Sequence, residues 1–175
     1  FLIVFNLSSR EINAAIYAAV GLSIFLTLIR LLKRETVQHA FSGLIGVAIC
    51  ALISKRSGSA ADFYLPGLWI NAGYALMYTV TNLIKWPILG LTLGPILGEN
   101  LMWRKDPARL NAYIKAGWLW VGMFVARLMI QYPLYQSGNV NALGTARLFM
   151  GYPLFILTAW GTWQILRKTP TTKVN

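Results

Sequence analysis

Apolar residues form long runs along this chain, and short polar segments separate one run from the next. The run Ile12–Leu32 contains no charged residue before Arg30. A helix needs about 20 such residues to cross the hydrocarbon layer of a bilayer, which is about 30 Å thick. Further runs of the same kind follow. The pattern therefore predicts an all-α fold, a polytopic transmembrane helical bundle that forms one integral membrane domain over residues 1–175.

The polar segments divide the chain into six predicted spans and one additional apolar segment. The spans cover about residues 1–7, 12–32, 37–54, 67–83, 109–130 and 142–166. The opening FLIVFNLSS has neither a charged leader nor a small-residue cleavage pattern. We interpret it as the tail of a truncated first span. Residues 86–103 are rich in Gly and Pro, and we expect this segment to be embedded in the membrane without crossing it.

The segment Trp86–Trp103 decides the topology. If it enters the membrane and returns, six spans place both termini in the cytoplasm and concentrate the basic residues there, as the positive-inside rule favours. The residues on that side are then Arg30, Lys33, Arg34, Lys85, Arg104, Lys105, Arg109, Arg167, Lys168 and Lys173, against Arg10, Lys55 and Arg56. Seven spans remain the alternative, because Gly90, Gly94 and Gly98 form a stripe typical of packed transmembrane helices.

Composition and charge support the membrane class and narrow the partners. The chain is 57% hydrophobic and 12% charged, which lies outside the range of soluble domains. Its net charge of +11 comes from residues at the ends of apolar runs, a placement typical of contact with anionic lipid rather than nucleic acid. We therefore expect a lipid bilayer with anionic lipids as partner, and other membrane proteins or self-association as further options.

Catalytic and metal-binding patterns are missing from the sequence. Cys50 is the only cysteine and His39 the only histidine, so an intrachain disulfide and a His/Cys zinc site are not expected. We find no base–nucleophile set, no phosphate loop and no paired carboxylates in one layer. The sequence predicts a protein that is not an enzyme and needs no cofactor.

Ionisable residues at membrane depth are the candidate site. Each costs at least about 2.5 kcal/mol to insert, so each requires a reason. The candidates are Arg127, Arg147, Lys115, Glu99 and His39. We expect Arg127 and Arg147 to share a cavity in the outer half of the membrane, and Glu99 to pair with Lys115. The arginines either bond to backbone carbonyls between helices or form a pocket for an anion or a lipid headgroup.

Two short sequence matches leave an internal duplication open. Ile12-Asn13-Ala14-Ala15-Ile16 resembles Leu110-Asn111-Ala112-Tyr113-Ile114, and His39-Ala40-Phe41-Ser42-Gly43 resembles Arg147-Leu148-Phe149-Met150-Gly151. Duplicated three-helix units of inverted topology are common among carriers. Chance matches in a restricted alphabet are the alternative.

Several sequence segments resemble those of an uncharacterised family of actinobacterial integral membrane proteins, known as a domain of unknown function. They are LLKRETVQHAFSGLIGV at 31–47, DFYLPGL at 62–68, INAGYA at 70–75 and WRKDP at 103–107. The resemblance covers essentially the whole chain. It implies an architecture and a lineage, and it supplies no catalytic residues.

The order of features is also similar, more distantly, to the intracellular septation protein A family of bacterial inner-membrane proteins. A basic cluster after a span, Asp62-Phe63 before a later span and the phrase Lys85-Trp86-Pro87-Ile88 carry this similarity. It implies a link to envelope synthesis or division. The segment between Pro87 and Met102 is more apolar here than in that family.

These observations predict an integral protein of the bacterial plasma membrane whose molecular activity the sequence does not define. We expect a non-enzymatic interaction protein associated with the envelope or with division. A small carrier for an anionic or amphipathic solute is the alternative, because Arg127, Arg147 and the possible duplication fit it.

Overall fold

Helices make up nearly all of the regular structure. The computed structural model describes residues 1–9, 11–32 and 37–170, with side chains from residue 42 onward in the last of these ranges. These residues contain eight α-helices and no strand. The helices are α1 (Leu2–Leu7), α2 (Ile12–Leu32), α3 (Val37–Ser57), α4 (Leu65–Leu83), α5 (Ile88–Ile96), α6 (Pro107–Gln136), α7 (Val140–Phe149) and α8 (Tyr152–Leu166), with short 3₁₀ helices at Ala60–Tyr64 and Met102–Arg104. The all-α prediction is confirmed.

Three stretches of helix are long and apolar enough to cross a membrane. Among the described residues they are Ile12–Leu32, Pro107–Gln136 and Val140–Leu166, the last of which comprises α7 and α8. They coincide with predicted spans at 12–32, 109–130 and 142–166. Large apolar side chains on α2, such as Leu22 and Phe25, are each 59% exposed, which is typical of a lipid-facing surface. The helices α3 and α4 occupy two further predicted spans, and their crossing stays a prediction.

The segment Trp86–Trp103 does not form one continuous helix. Its helix α5 has nine residues, which at 1.5 Å per residue gives about 14 Å, half the thickness of the hydrocarbon layer. The chain turns after α5 through Gly98 and Asn100, whose φ angles are +73° and +46°. Beyond this turn it forms the 3₁₀ helix that carries Trp103.

The glycine stripe in this segment packs inside the segment itself. A Cβ atom at Gly90 would lie 2.8 Å from the indole of Trp103, and one at Gly94 would lie 2.8 Å from its Nε1. Gly98 supplies the left-handed conformation of the turn. The interpretation of these glycines as one face of a continuous transmembrane helix is therefore wrong.

The last predicted span is interrupted at Met150-Gly151. Pro153 lies in the first turn of α8, where its missing N–H group does no harm. Gly151 precedes that turn with ψ of −105°, outside the helical region, so α7 and α8 are separate helices. The predicted span at 142–166 therefore consists of two successive helices.

The chain forms two compact units. The first comprises Phe1–Leu68 and Gln131–Ala146, and the second comprises Trp69–Ile130 and the chain from Arg147 onward. In the first unit, α2 packs on α3, and Phe1 stacks on Phe63 with ring centroids 4.0 Å apart. In the described part of this unit, a Cβ atom at Gly43 would meet no atom within 4 Å.

The core of the second unit surrounds the buried side chains of Glu99 and Arg109. Its largest buried apolar members are Trp103, Tyr78 and Tyr113, and Leu89 and Ala116 pack with them. Trp103 and Tyr113 are 0% exposed. The helices α5, α6 and α8 therefore surround the candidate site described next.

Candidate functional site

A buried ion pair lies in the second unit between the turn after α5 and the first turn of α6. Arg109 Nη2 is 2.8 Å from Glu99 Oε1, and the side chains are 2% and 0% exposed. The approach is an ion contact rather than an aligned hydrogen bond at that oxygen. The other carboxylate oxygen, Oε2, accepts a hydrogen bond of 2.8 Å from the hydroxyl group of Tyr113. Glu99 is thus bound from two sides by groups of the same helix.

Arg109 also binds the carboxyl end of α8. Its Nη1 donates to the carbonyl oxygens of Leu166 and Thr169 at 2.8 Å and 3.1 Å, and to the hydroxyl oxygen of Thr169 at 3.0 Å. The last carbonyls of a helix have no partner within the helix and carry a partial negative charge, so a guanidinium group suits this position. One arginine therefore joins the turn after α5, the start of α6 and the end of α8.

The local sequence explains why Arg109 occupies this position. Asp106 Oδ1 accepts hydrogen bonds from the backbone N–H groups of Ala108 and Arg109, at 2.9 Å and 3.3 Å. This N-cap and Pro107 fix the start of α6. Tyr113 follows Arg109 by four residues, so both side chains lie on one helix face.

The predicted pairing of Glu99 with Lys115 is wrong. Lys115 lies two residues beyond Tyr113, a rotation of about 200° around the helix axis, and therefore on the opposite face of α6. It is exposed and lines a pocket of about 490 Å³ together with Lys168, Asn111 and Gln164. We call this the lysine pocket. Sequence reasoning missed Arg109 and Tyr113, although their four-residue spacing after a capped helix start was a usable signal.

Arg127 donates from Nη2 to the carbonyl oxygen of Gly151 at 2.8 Å. That carbonyl lies where α7 ends and α8 begins, so the arginine stabilises the helix interruption. The positive charge of Arg147 acts on Arg127 by Coulomb repulsion. A pocket of about 320 Å³ is lined by Arg127, Gly151, Tyr152 and Phe155, and Arg147 is not among its lining residues.

The remaining sequence candidate is His39, whose side chain lies outside the described residues. In the part of the chain that is described, no three His, Cys, Asp or Glu side chains come together as a metal ion would require. The structure therefore brings Glu99 to a partner other than the predicted one, and it places Arg127 and Lys115 in different pockets.

A further pocket in the described part of the second unit has a mostly apolar lining. It has a volume of about 580 Å³. Its walls come from α5, α6, α8 and the residues after α8: Leu89, Leu93, Leu97, Arg109, Trp120, Ala159, Thr162, Trp163, Leu166, Arg167, Thr169 and Pro170. The hydroxyl group of Thr162, which lines this pocket from α8, accepts a hydrogen bond of 2.9 Å from Trp120 Nε1. We call this pocket the apolar groove.

The charged part of the apolar groove lies at the end of α8. The guanidinium group of Arg167 stacks over the ring of Trp163, 4.7 Å from its centroid. Thr169 lines both the apolar groove and the lysine pocket, so the two pockets adjoin at this end of α8. The arrangement can receive an apolar chain and a neighbouring anionic group.

Comparison with known protein families finds a family that matches the chain. A family model described as "protein of unknown function (DUF3159)" matches residues 1–173. The chain belongs to this family. Searches of curated proteins and of solved structures find no match. Membership of this family defines no activity.

Proposed function

We propose that this member of the DUF3159 family is a multi-pass protein of the bacterial plasma membrane with six spans and both termini in the cytoplasm. The nine-residue length of α5 and the return of the chain to Trp103 support an embedded segment that enters and leaves on one side. The cytoplasmic side then carries most of the basic residues.

We further propose a non-enzymatic role, in which the protein binds other envelope or division proteins, or lipids. The observation that carries this proposal is that two of the predicted intramembrane charges, Glu99 and Arg127, are bound by groups of the protein itself. Glu99 is held by Arg109 and Tyr113, and Arg127 is bonded to a backbone carbonyl. A catalytic or transport site would need charged groups that remain available to a substrate.

The exposed surface supports the same proposal. Trp160 and Trp163 on α8 are 56% and 55% exposed. Many other large apolar side chains of the described residues are also exposed. Such a surface faces lipid or another membrane protein. The similarity to the septation protein family and the actinobacterial resemblance support the envelope as the site of action.

Site-directed photo-crosslinking in native membranes tests the binding role. A photoreactive residue replaces Trp160 on α8 or Leu22 on α2, and the same residue at Lys105 is the control. We expect the same protein or lipid adducts in independent preparations from the α2 and α8 positions, and not from the control. An uncrosslinked monomer at both positions would contradict the proposal.

A carrier for an anionic or amphipathic solute is the second candidate. The pocket beside Arg127 and the nearby charge of Arg147 favour it. Uptake of amphipathic anions into proteoliposomes, compared between the native protein and the variants Arg127→Ala and Arg147→Ala, tests this role. Uptake that both variants abolish while they remain folded would establish a carrier. Uptake at the native rate by both folded variants would assign the two arginines to structure.

A further inference from the structure

The apolar groove has the size and lining of a lipid site. Its volume of about 580 Å³ falls within the range of about 300–1,000 Å³ that is typical of small-molecule pockets. Leu89 and Leu93 from α5, Trp120 from α6 and Trp163 from α8 supply large apolar surfaces to its wall. Such a groove suits an acyl chain.

The charged residues beside the groove favour a negatively charged ligand. Arg167 lines the groove itself, and Lys168 and Lys115 line the adjoining lysine pocket; all three side chains are exposed. No Asp or Glu is among the described residues that line either pocket. Glu99, the nearest buried carboxylate to Arg109, is already neutralised by it. The net local charge is therefore positive.

The end of α8 does not repel an anion as a bare helix terminus would. A helix carboxyl end carries about half a negative charge on its unpaired carbonyls. Here Arg109 donates to the carbonyl oxygens of Leu166 and Thr169 and masks them. The stacking of Arg167 on Trp163 holds a second guanidinium group beside the groove.

We propose that the apolar groove and the lysine pocket together bind one anionic phospholipid. One of its acyl chains occupies the groove, and its phosphate group lies at the end of α8 against Arg167 and Lys168, with Lys115 nearby. A second copy of this chain is a poorer occupant, because its own basic residues at the same place would repel those of the first. The inference rests on the proposed membrane-binding role and names its ligand.

Native mass spectrometry of the full chain, released from detergent micelles, measures the bound lipid directly. The probes are dioleoyl phosphatidylglycerol and dioleoyl phosphatidylcholine, which share acyl chains and differ in net charge. We expect the native protein to retain the anionic lipid more strongly, by about 25-fold, because Arg167 and Lys168 each contribute about fivefold. The double variant Arg167→Gln/Lys168→Gln should lower that retention to the level of the zwitterionic lipid, about fivefold for each charge removed.

Three further variants separate the site from general effects. Lys105→Gln removes an exposed charge that lines neither pocket, and it should leave the preference unchanged. Ala159→Trp fills the groove without changing the charge, and it should lower retention of both lipids. Arg167→Lys should keep the preference, which separates loss of charge from loss of folding.

Equal retention of the two lipids by the native protein would overturn the proposal. So would an equal loss of preference in Lys105→Gln and in the double variant. Absence of the lipid preference together with reproducible protein crosslinks would overturn this site and leave the binding role. Solute uptake by a protein that retains the lipid would overturn the binding role and leave this site.

Discussion

Truncation of Arg109 should destabilise the protein more than any other single change to the buried cluster. In the variant Arg109→Ala, the carboxylate of Glu99 keeps only its hydrogen bond from Tyr113 while remaining fully buried. Removal of one partner from a buried ion pair costs about 3–5 kcal/mol, because the other charge is left uncompensated. The carbonyl oxygens of Leu166 and Thr169 lose a donor at the same time.

The reverse truncation should cost less. In Glu99→Gln, an amide of similar shape can still contact both Tyr113 and Arg109, and the guanidinium group keeps three acceptors at the end of α8. We expect a loss of about 1–3 kcal/mol, the range for an unsatisfied or weakened buried polar contact. The double variant Glu99→Leu/Arg109→Leu should regain part of the loss of Arg109→Ala, because it leaves no unpaired charge.

Unfolding by sodium dodecyl sulfate in mixed micelles, followed by helical circular dichroism, measures these free energies. Glu11→Gln is the matched control, since it makes the same carboxylate-to-amide change at an exposed position and should stay within about 0.5 kcal/mol of the native protein. If Arg109→Ala cost no more than Glu11→Gln, or less than Glu99→Gln, the structural role of the ion pair would be refuted.

Other contacts give smaller expected effects in the same unfolding titration. Gly94→Ala should lower the free energy of unfolding by about 1–3 kcal/mol, because its Cβ would overlap the indole of Trp103. Gly21→Ala, whose Cβ meets no described atom, should leave that free energy unchanged or raise it by up to about 1 kcal/mol. Equal effects of the two changes would contradict the packing. Arg127→Ala removes the charged hydrogen bond to the Gly151 carbonyl and should lower the free energy of unfolding by about 1.5–3 kcal/mol. An unchanged stability would show that this hydrogen bond does not stabilise the fold. Asp106→Ala removes the N-cap of α6 and should lower the free energy of unfolding by about 1 kcal/mol, whereas Asp106→Asn should keep most of the native stability. Equal losses in the two variants would count against the cap.

Much of the helical framework could be predicted from apolar run length. The run at 12–32 has the bounds of α2, and the run at 109–130 lies inside α6, which continues through Pro133 to Gln136. The reversal within Trp86–Trp103 was harder, since it depends on the left-handed backbone at Asn100 and on a tryptophan returning onto two glycines. Hydropathy alone does not distinguish that arrangement from a crossing helix.

The candidate site was predicted only in part. Charge alone suggested Lys115 as the partner of Glu99, whereas the helical phase of α6 turns Arg109 and Tyr113 toward that carboxylate. The apolar groove combines residues from three helices that are distant in the sequence, so no local motif marks it. Arg127 was predicted either to bond to a backbone carbonyl or to bind an anion, and the structure shows the first of these bonds.

Accessibility of single introduced cysteines in intact cells tests the central claim, an embedded segment within six spans. Cys50→Ala removes the native thiol, and Lys85→Cys, Lys105→Cys or Ser137→Cys then introduces one exposed thiol for a membrane-impermeant maleimide. Six spans with an embedded segment predict that position 137 is labelled from outside and that positions 85 and 105 are labelled only after the membrane is opened. Labelling of 85 and 105 from opposite sides would show that residues 86–103 cross the membrane and would contradict it.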